Sequence, residues 1–192
     1  MPASKCSFQR GFTLIELVIG IMVFAVALGL FSSMLVPLAS RSVDPVFQVR
    51  ASELAQSLIN EIVSKPFDEQ SSRVGGFNRC NELGKRCTAA AALGPDGSEM
   101  RDNYNDVDDY DGLEQQGDEI QNVFAEQITY AGQALYAGFS VRVQVYYDDN
   151  MDGIDDALRR GTNYIGNNKL VSVAVTTPNG ETLLFSSYRS NY

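Results

Sequence analysis

Apolar residues run without a charged interruption from Leu17 to Leu38 (LVIGIMVFAVALGLFSSMLVPL). At about 1.5 Å per helical residue such a stretch crosses a hydrocarbon core of roughly 30 Å, so it predicts a membrane-spanning helix. A secretory signal has a shorter apolar region of about 7–15 residues and then a small-residue cleavage site; no such site follows at Ser40 or Ser42. The next periodic segment is of another kind. Asp44-Pro45 reads as a helix start, with Asp as N-cap and Pro at the first helical position. Phe47, Ala51, Leu54, Ala55, Leu58, Ile59 and Ile62 then recur at helical spacing. Gln48, Arg50, Glu53, Gln56, Asn60 and Glu61 fall between them, so this helix is amphipathic and lies on a core. It ends near Lys65-Pro66, because the residue before a proline is pushed out of helical geometry. Pro37 and Pro45 predict a kink or a break between the two helices.

Periodicity then lapses. From Asp68 to about Leu113 the chain is rich in Gly, Ser, Asn and Asp, which predicts a long surface connection with one helical turn at Ala89–Ala92. The last third alternates. Phe139, Val141, Val143, Val145 and Tyr147 interleave with Ser140, Arg142, Gln144 and Tyr146, the period of a half-buried strand. Leu170–Thr176 and Thr182–Tyr188 are two further strands, joined by Pro178-Asn179-Gly180, whose Asn-Gly step is a turn signal. A fourth strand is expected over Gln127–Ala137. The pattern as a whole predicts an α+β fold: a long N-terminal helix, first membrane-spanning and then amphipathic, packed on a small antiparallel C-terminal sheet.

Composition narrows the function. Of the 192 residues, about 30 go to the N-terminal segment and the span, and the rest suffices for one compact domain. The net charge is -9, and an acidic exterior argues against nucleic acid binding, which needs a basic patch. There is no histidine, which removes Ser-His-Asp and Cys-His arrangements and the usual general base near neutral pH. Walker and dinucleotide-binding glycine patterns are missing too. The expectation is a protein that is not an enzyme.

Three places carry candidate chemistry. Glu16 stands at the mouth of the apolar helix, where an acidic side chain costs a few kcal/mol unless it is partnered. Either it sits at headgroup level and caps the positive end of the helix dipole, or it has a partner. Asp148-Asp149-Asn150-Met151-Asp152-Gly153-Ile154-Asp155-Asp156 has the pattern D-x-N-x-D-G-x-x-D, similar to short calcium loops. Asp148, Asn150, Asp152 and Asp156 would be side-chain ligands and Ile154 a carbonyl ligand for calcium. Position 12 of a full EF-hand loop is Arg159 instead of Glu. A solvated connection between strands is the preferred reading and a bound ion its alternative. The acidic residues Asp102, Asp106, Asp108, Asp109 and Asp111 lack ligand spacing and are expected to form a solvated loop.

Arg10-Gly11-Phe12-Thr13-Leu14-Ile15-Glu16-Leu17, set before a membrane span, resembles the processing motif of type IV prepilins. The resemblance implies a leader at 1–11 that a prepilin peptidase removes between Gly11 and Phe12, with N-methylation of Phe12. Glu16 becomes the fifth mature residue, which in that family is thought to pair with the amino terminus of a neighbouring subunit. The implied layout is a type IV pilin-like one: transmembrane helix 12–38, amphipathic helix 39–66, surface loop region 67–113, sheet 114–192. Lys5 and Arg10 precede the span with no acidic residue, so the positive-inside rule puts the N-terminus in the cytoplasm, although Arg41 and Arg50 weaken the asymmetry. Losing Lys5 and Arg10 with the leader leaves 13 of the 15 basic residues against 24 acidic ones, a net charge of -11.

Cys6 would go with the leader, leaving Cys80 and Cys87 as an even pair in an oxidising compartment. A disulfide between them is expected, with two free buried thiols as the alternative. Zinc is disfavoured because only these two soft ligands remain.

Ser42–Val46, Asn105–Leu113 and the closing Phe185–Tyr192 are similar to minor prepilins of the mannose-sensitive haemagglutinin (MSHA) pilus. That likeness implies a subunit of the inner membrane and then of the pilus, whose partners are other pilins and the prepilin peptidase. It would prime assembly or support surface attachment. A type II secretion pseudopilin shares the same leader and helix. A membrane-anchored calcium-dependent binding module that never polymerises is the alternative from another class.

Overall fold

The computed structural model describes residue 11 and residues 13–41, 44–72 and 79–191. The expected leader up to Arg10, Phe12, Ser42, Val43, residues 73–78 and Tyr192 lie outside the described residues, as do the side chains of 34–44. The chain divides into two compact units, Met1–Pro45 and Val46–Tyr192. The architecture is α+β, with a long apolar N-terminal helix and a small antiparallel sheet.

The first unit is the helix α1 (Leu14–Arg41). Thr13 caps it: the Glu16 amide donates to Thr13 Oγ1 at 3.3 Å and the Leu17 amide to the Thr13 carbonyl at 3.2 Å. Leu14–Ser33 has a mean hydropathy of 2.7 and is wholly exposed, which is long and apolar enough to cross a membrane. A second helix, α2 (Asp44–Val63), starts after Ser42 and Val43. Pro37 lies within α1, and the expected kink or break between the helices falls at Ser42 and Val43, outside the described residues.

In the second unit α2 buries Ala51, Leu54, Ala55, Leu58, Ile59 and Ile62, the stripe foreseen from the 3.6 period. They share a core with Val141, Val143 and Val145 of one strand and Val171, Val173 and Val175 of its neighbour. The strands are β1 (Glu114–Gln116), β2 (Thr129–Tyr130), β3 (Gln133–Ala134), β4 (Ser140–Tyr147), β5 (Asn168–Thr176) and β6 (Thr182–Ser190), with a single helical turn, α3 (Ala157–Arg160), between β4 and β5. The sheet order is β1-β4-β5-β6, antiparallel throughout. Phe139, just before β4, meets Phe47 of α2 edge-on at 5.8 Å and Tyr136 at 5.7 Å. The β5–β6 turn has the expected form, with Gly180 at φ 86° and its amide on the Thr177 carbonyl at 2.9 Å.

Two expectations need correction. The fourth strand of the sheet is β1, whereas Gln127–Ala137 forms a separate two-stranded hairpin of β2 and β3. Glu114-Gln115-Gln116 carries no apolar alternation, and it is held by backbone pairing to β4 instead. The region 67–113 is not simply a surface connection. Val107 and Tyr110 are in the main core, and Asp106, Asp108 and Asp109, expected in solvent, are buried. Cys80 and Cys87 form a disulfide with Cα atoms 4.9 Å apart. With Phe67 and Tyr147 they make a second small core. Ala90–Ala92 form the expected turn, of 3-10 type.

Candidate functional site

The described residues of the N-terminal junction are exposed. Gly11 is exposed, and a Cβ added there would meet nothing within 4 Å. Its smallness therefore serves no packing among the described residues. Glu16 is also exposed, at the third helical position counted from the Thr13 cap. A carboxylate there faces the positive end of the helix dipole, and the Thr13-x-x-Glu16 spacing is that of a capping box. The sequence signal for the cap is Thr13 itself, three residues before the acid. Ala25, Gly29 and Ser33 lie on the exposed surface of α1, with the Ser33 hydroxyl donating back to the Leu30 carbonyl at 2.7 Å.

The aspartates of 148–156 close their own loop. Asp148 is fully buried; its Oδ1 accepts from the Asp152 amide at 3.0 Å, and its Oδ2 from the Gly153 amide at 2.8 Å and the Tyr188 hydroxyl at 2.7 Å. That hydrogen bond, more than burial, pushes the Tyr188 hydroxyl up to about 12. Asp156 Oδ2 accepts from the Asp149 amide at 2.9 Å. Asp152 accepts from its own Ile154 amide, from the Asn150 side chain and from Arg159 at 3.0 Å. Gly153 takes the left-handed conformation the turn requires, at φ 78°. Among the described residues, only Asp68, Cys80 and Cys87 bring three acidic or thiol ligand atoms within 4.8 Å of one another, and both sulfurs are in the disulfide. The Asp148, Asp152 and Asp156 carboxylates do not converge in that way. Asp148, Asn150, Asp152, Ile154 and Asp156 take part in a hydrogen-bonded connector between β4 and β5.

A second acidic network was not legible. Lys169, at the start of β5, is fully buried, with Nζ 2.7 Å from Asp108 Oδ1, 2.6 Å from the Phe67 carbonyl and 3.7 Å from Asp68. It also lies 4.4 Å from the Phe67 ring centre, a cation–π arrangement. Asp106 Oδ1 accepts from the Asp108 and Asp109 amides, and Asp109 Oδ2 from the Asn105 and Asp106 amides. Burial, then the Asp108 carboxyl beside it, pushes Asp106 up to about 9. Next to this network Arg101 reaches Glu61 of α2, whose other partner is the Tyr110 hydroxyl at 2.6 Å. The acidic segment is therefore an internal fastener, tying 105–111 to β5 and α2.

Residues 6–32 match the family model of the prokaryotic N-terminal methylation motif. This decides the character of the N-terminus. The chain carries a type IV prepilin-like methylation motif. The match takes in Gly11, Glu16 and most of the exposed apolar part of α1. A motif of this kind implies processing by a prepilin peptidase and assembly with other pilins or pseudopilins, and with the apolar helix it points to membrane anchoring. No curated protein and no solved structure matches the chain. The prepilin-like motif covers α1 only as far as Ser32 and includes none of the second unit.

Proposed function

We propose that this chain is a minor pilin of a type IV pilus of the MSHA type, a structural and assembly subunit and not a catalyst. The observation that carries the reading is the methylation motif over 6–32 joined to a wholly exposed apolar helix with Glu16 in its first turn. Cleavage between Gly11 and Phe12 creates an ammonium four residues from that carboxylate. Between packed helices, where the dielectric is low, two such charges on neighbouring subunits attract far more than in water. Glu16 then selects a processed neighbour, and subunits stack in one register.

The finer assignment rests on the likeness of Ser42–Val46, Asn105–Leu113 and Phe185–Tyr192 to the minor prepilin MshD. The second of these is the segment that wraps Lys169, so its acidic composition has a structural cause in this fold. The same motif serves a type II secretion pseudopilin equally well, and the filament into which the processed chain is incorporated separates the two.

The test is mass spectrometry of the mature chain together with two variants. The expected N-terminus is methylated Phe12; Gly11→Val blocks processing, and Glu16→Ala is processed normally but enters filaments poorly. A mature chain that still begins at Met1 or Pro2 overturns the prepilin reading. Glu16→Ala subunits recovered in filaments at the wild-type level overturn the charge pairing alone.

A further inference from the structure

The two edges of the main sheet are unlike. β1 is three residues long and gives way at once to a 3-10 turn at Gly117–Glu119, which blunts that edge. β6 runs for nine residues in unbroken register with β5 and contains no proline, lysine or acidic residue, so of the usual devices that protect an edge it has only the charge of Arg189. The Thr177 amide donates to the Glu181 carbonyl at 2.8 Å, and the Asn191 amide to the Asn167 carbonyl at 2.9 Å. These bonds lie on the β5–β6 register and fix its alternation: Leu183, Phe185, Ser187 and Arg189 bond towards β5. The N–H and C=O groups of Thr182, Leu184, Ser186, Tyr188 and Ser190 point outwards, and among the described residues no backbone hydrogen bond reaches them.

We propose that β6 pairs antiparallel with β6 of a second copy of this chain, about a two-fold axis at Ser186. Only this register sets all five outward residues against all five. Ser186 faces Ser186, Leu184 faces Tyr188, and Thr182 faces Ser190. It covers Leu184, which is 70% exposed, with a tyrosine on each side of the axis.

Charge complementarity selects a second copy as the occupant. The only charged residue in the strand, Arg189, falls opposite Leu183 and diagonal to Glu181 of the other copy, on the same face, within reach of a long side chain. By symmetry the pair occurs twice, and no like charges face one another. Arg189 Nε has no hydrogen-bond partner among the described residues, and the partner's Glu181 carboxylate, which accepts from the Gln48 side chain of its own chain at 3.1 and 3.2 Å, would meet the guanidinium from outside. An edge pairing of this length is small as interfaces go. Anchoring both copies in one membrane raises their effective concentration. The pairing does not depend on the pilus reading, because it uses only the second unit.

The experiment is cysteine cross-linking of the full chain in membranes, in a Cys6→Ser background. Hydrogen-bonded partners lie about 5.5 Å apart between Cα atoms, inside disulfide range. Ser186→Cys should therefore give a covalent dimer on mild oxidation. Leu184→Cys or Tyr188→Cys alone should give at least tenfold less, since each residue sits about 13 Å from its own copy. The two co-expressed should cross-link to each other. Ser186→Pro removes an outward N–H and no bond to β5, so it should abolish the Leu184–Tyr188 cross-link while Cys80–Cys87 stays oxidised. Absence of a Ser186 dimer, equal cross-linking at all three positions, a product with the mass of a different protein, or a dimer that survives the proline overturns the proposal. N-terminal processing read on the same samples shows separately whether the pilin reading holds.

Discussion

The two units of this chain invert the ordinary distribution of polar and apolar side chains in opposite ways. In α1, Leu14 is 82% exposed and Met22 71%, whereas in the second unit Lys169 and Asp68 are fully buried. A continuous apolar surface on a monomer marks a partner or a membrane; a buried charge demands a counter-charge. The helix is thus written for surroundings the chain does not provide, and the domain supplies its own. The comparison breaks most visibly on cutting the chain between Pro45 and Val46. The fragment 46–192 is expected to stay soluble and folded without detergent, while the full chain sediments with membranes or aggregates. Circular dichroism and sedimentation of both will show this; a fragment that aggregates would mean that the domain also depends on α1.

Next in size is the lysine. Lys169→Ala leaves the buried Asp108 and Asp68 without their cation, a change expected to cost about 3–5 kcal/mol. Urea unfolding of the 46–192 fragment measures it. Adding Asp108→Asn should recover part of the loss, because the two residues share one interaction. If the double variant loses the full sum of both single effects, the pair is not what holds 105–111 against β5.

The same contrast explains what could be read from the sequence. Both helices and the three long strands are legible because each buries or exposes a regular stripe, from Ala51 to Ile62 in α2 and from Val141 to Tyr147 in β4. The prepilin-like junction is legible because its signal is local. The burial of Asp106, Asp108 and Asp109 is not legible locally, because its reason, Lys169, lies about sixty residues along the chain at the start of β5. Short-range composition cannot distinguish aspartates that face water from aspartates that cap backbone amides inside the fold. The aspartates of 148–156 resemble a cation loop for a related reason: the Asx geometry that holds Asp148 to the Asp152 and Gly153 amides also shapes calcium loops. β1 was missed because it is an edge strand of three polar residues, held by backbone pairing that leaves no periodic trace.

The disulfide sharpens the domain side with a smaller effect. It closes a short loop, separation 7, so the chain-entropy model gives about 2.5 kcal/mol. Replacing Cys80 and Cys87 by serine should lower the urea midpoint accordingly. The Asn191 side chain, which donates to the Cys80 carbonyl at 3.1 Å, links the loop to the residue after β6. Loosening of β6 amides in hydrogen exchange should accompany the loss; unchanged exchange there would confine the staple to its own loop.

The finest test is Asp106. Its carboxyl is pushed from 3.8 to about 9 by burial, and then by Asp108 and Asp109, with Lys169 pulling the other way. Between those two values the folded chain holds a proton that the unfolded chain has lost. Stability contributed by this group therefore falls as pH rises from about 4 to about 9. Asp106→Asn cannot ionise, and its amide oxygen can still accept from the Asp108 and Asp109 amides. The variant should match the wild type near pH 4 and exceed it progressively above, up to about pH 9. Asp96, Glu99 and Asp111 are also raised by burial, but they are common to both proteins and largely cancel in the difference. Parallel stability curves would mean that Asp106 is ionised in the fold and that Lys169 balances a doubly charged segment. The domain would then be less self-sufficient than its buried network implies, and closer in kind to the helix that relies on its surroundings.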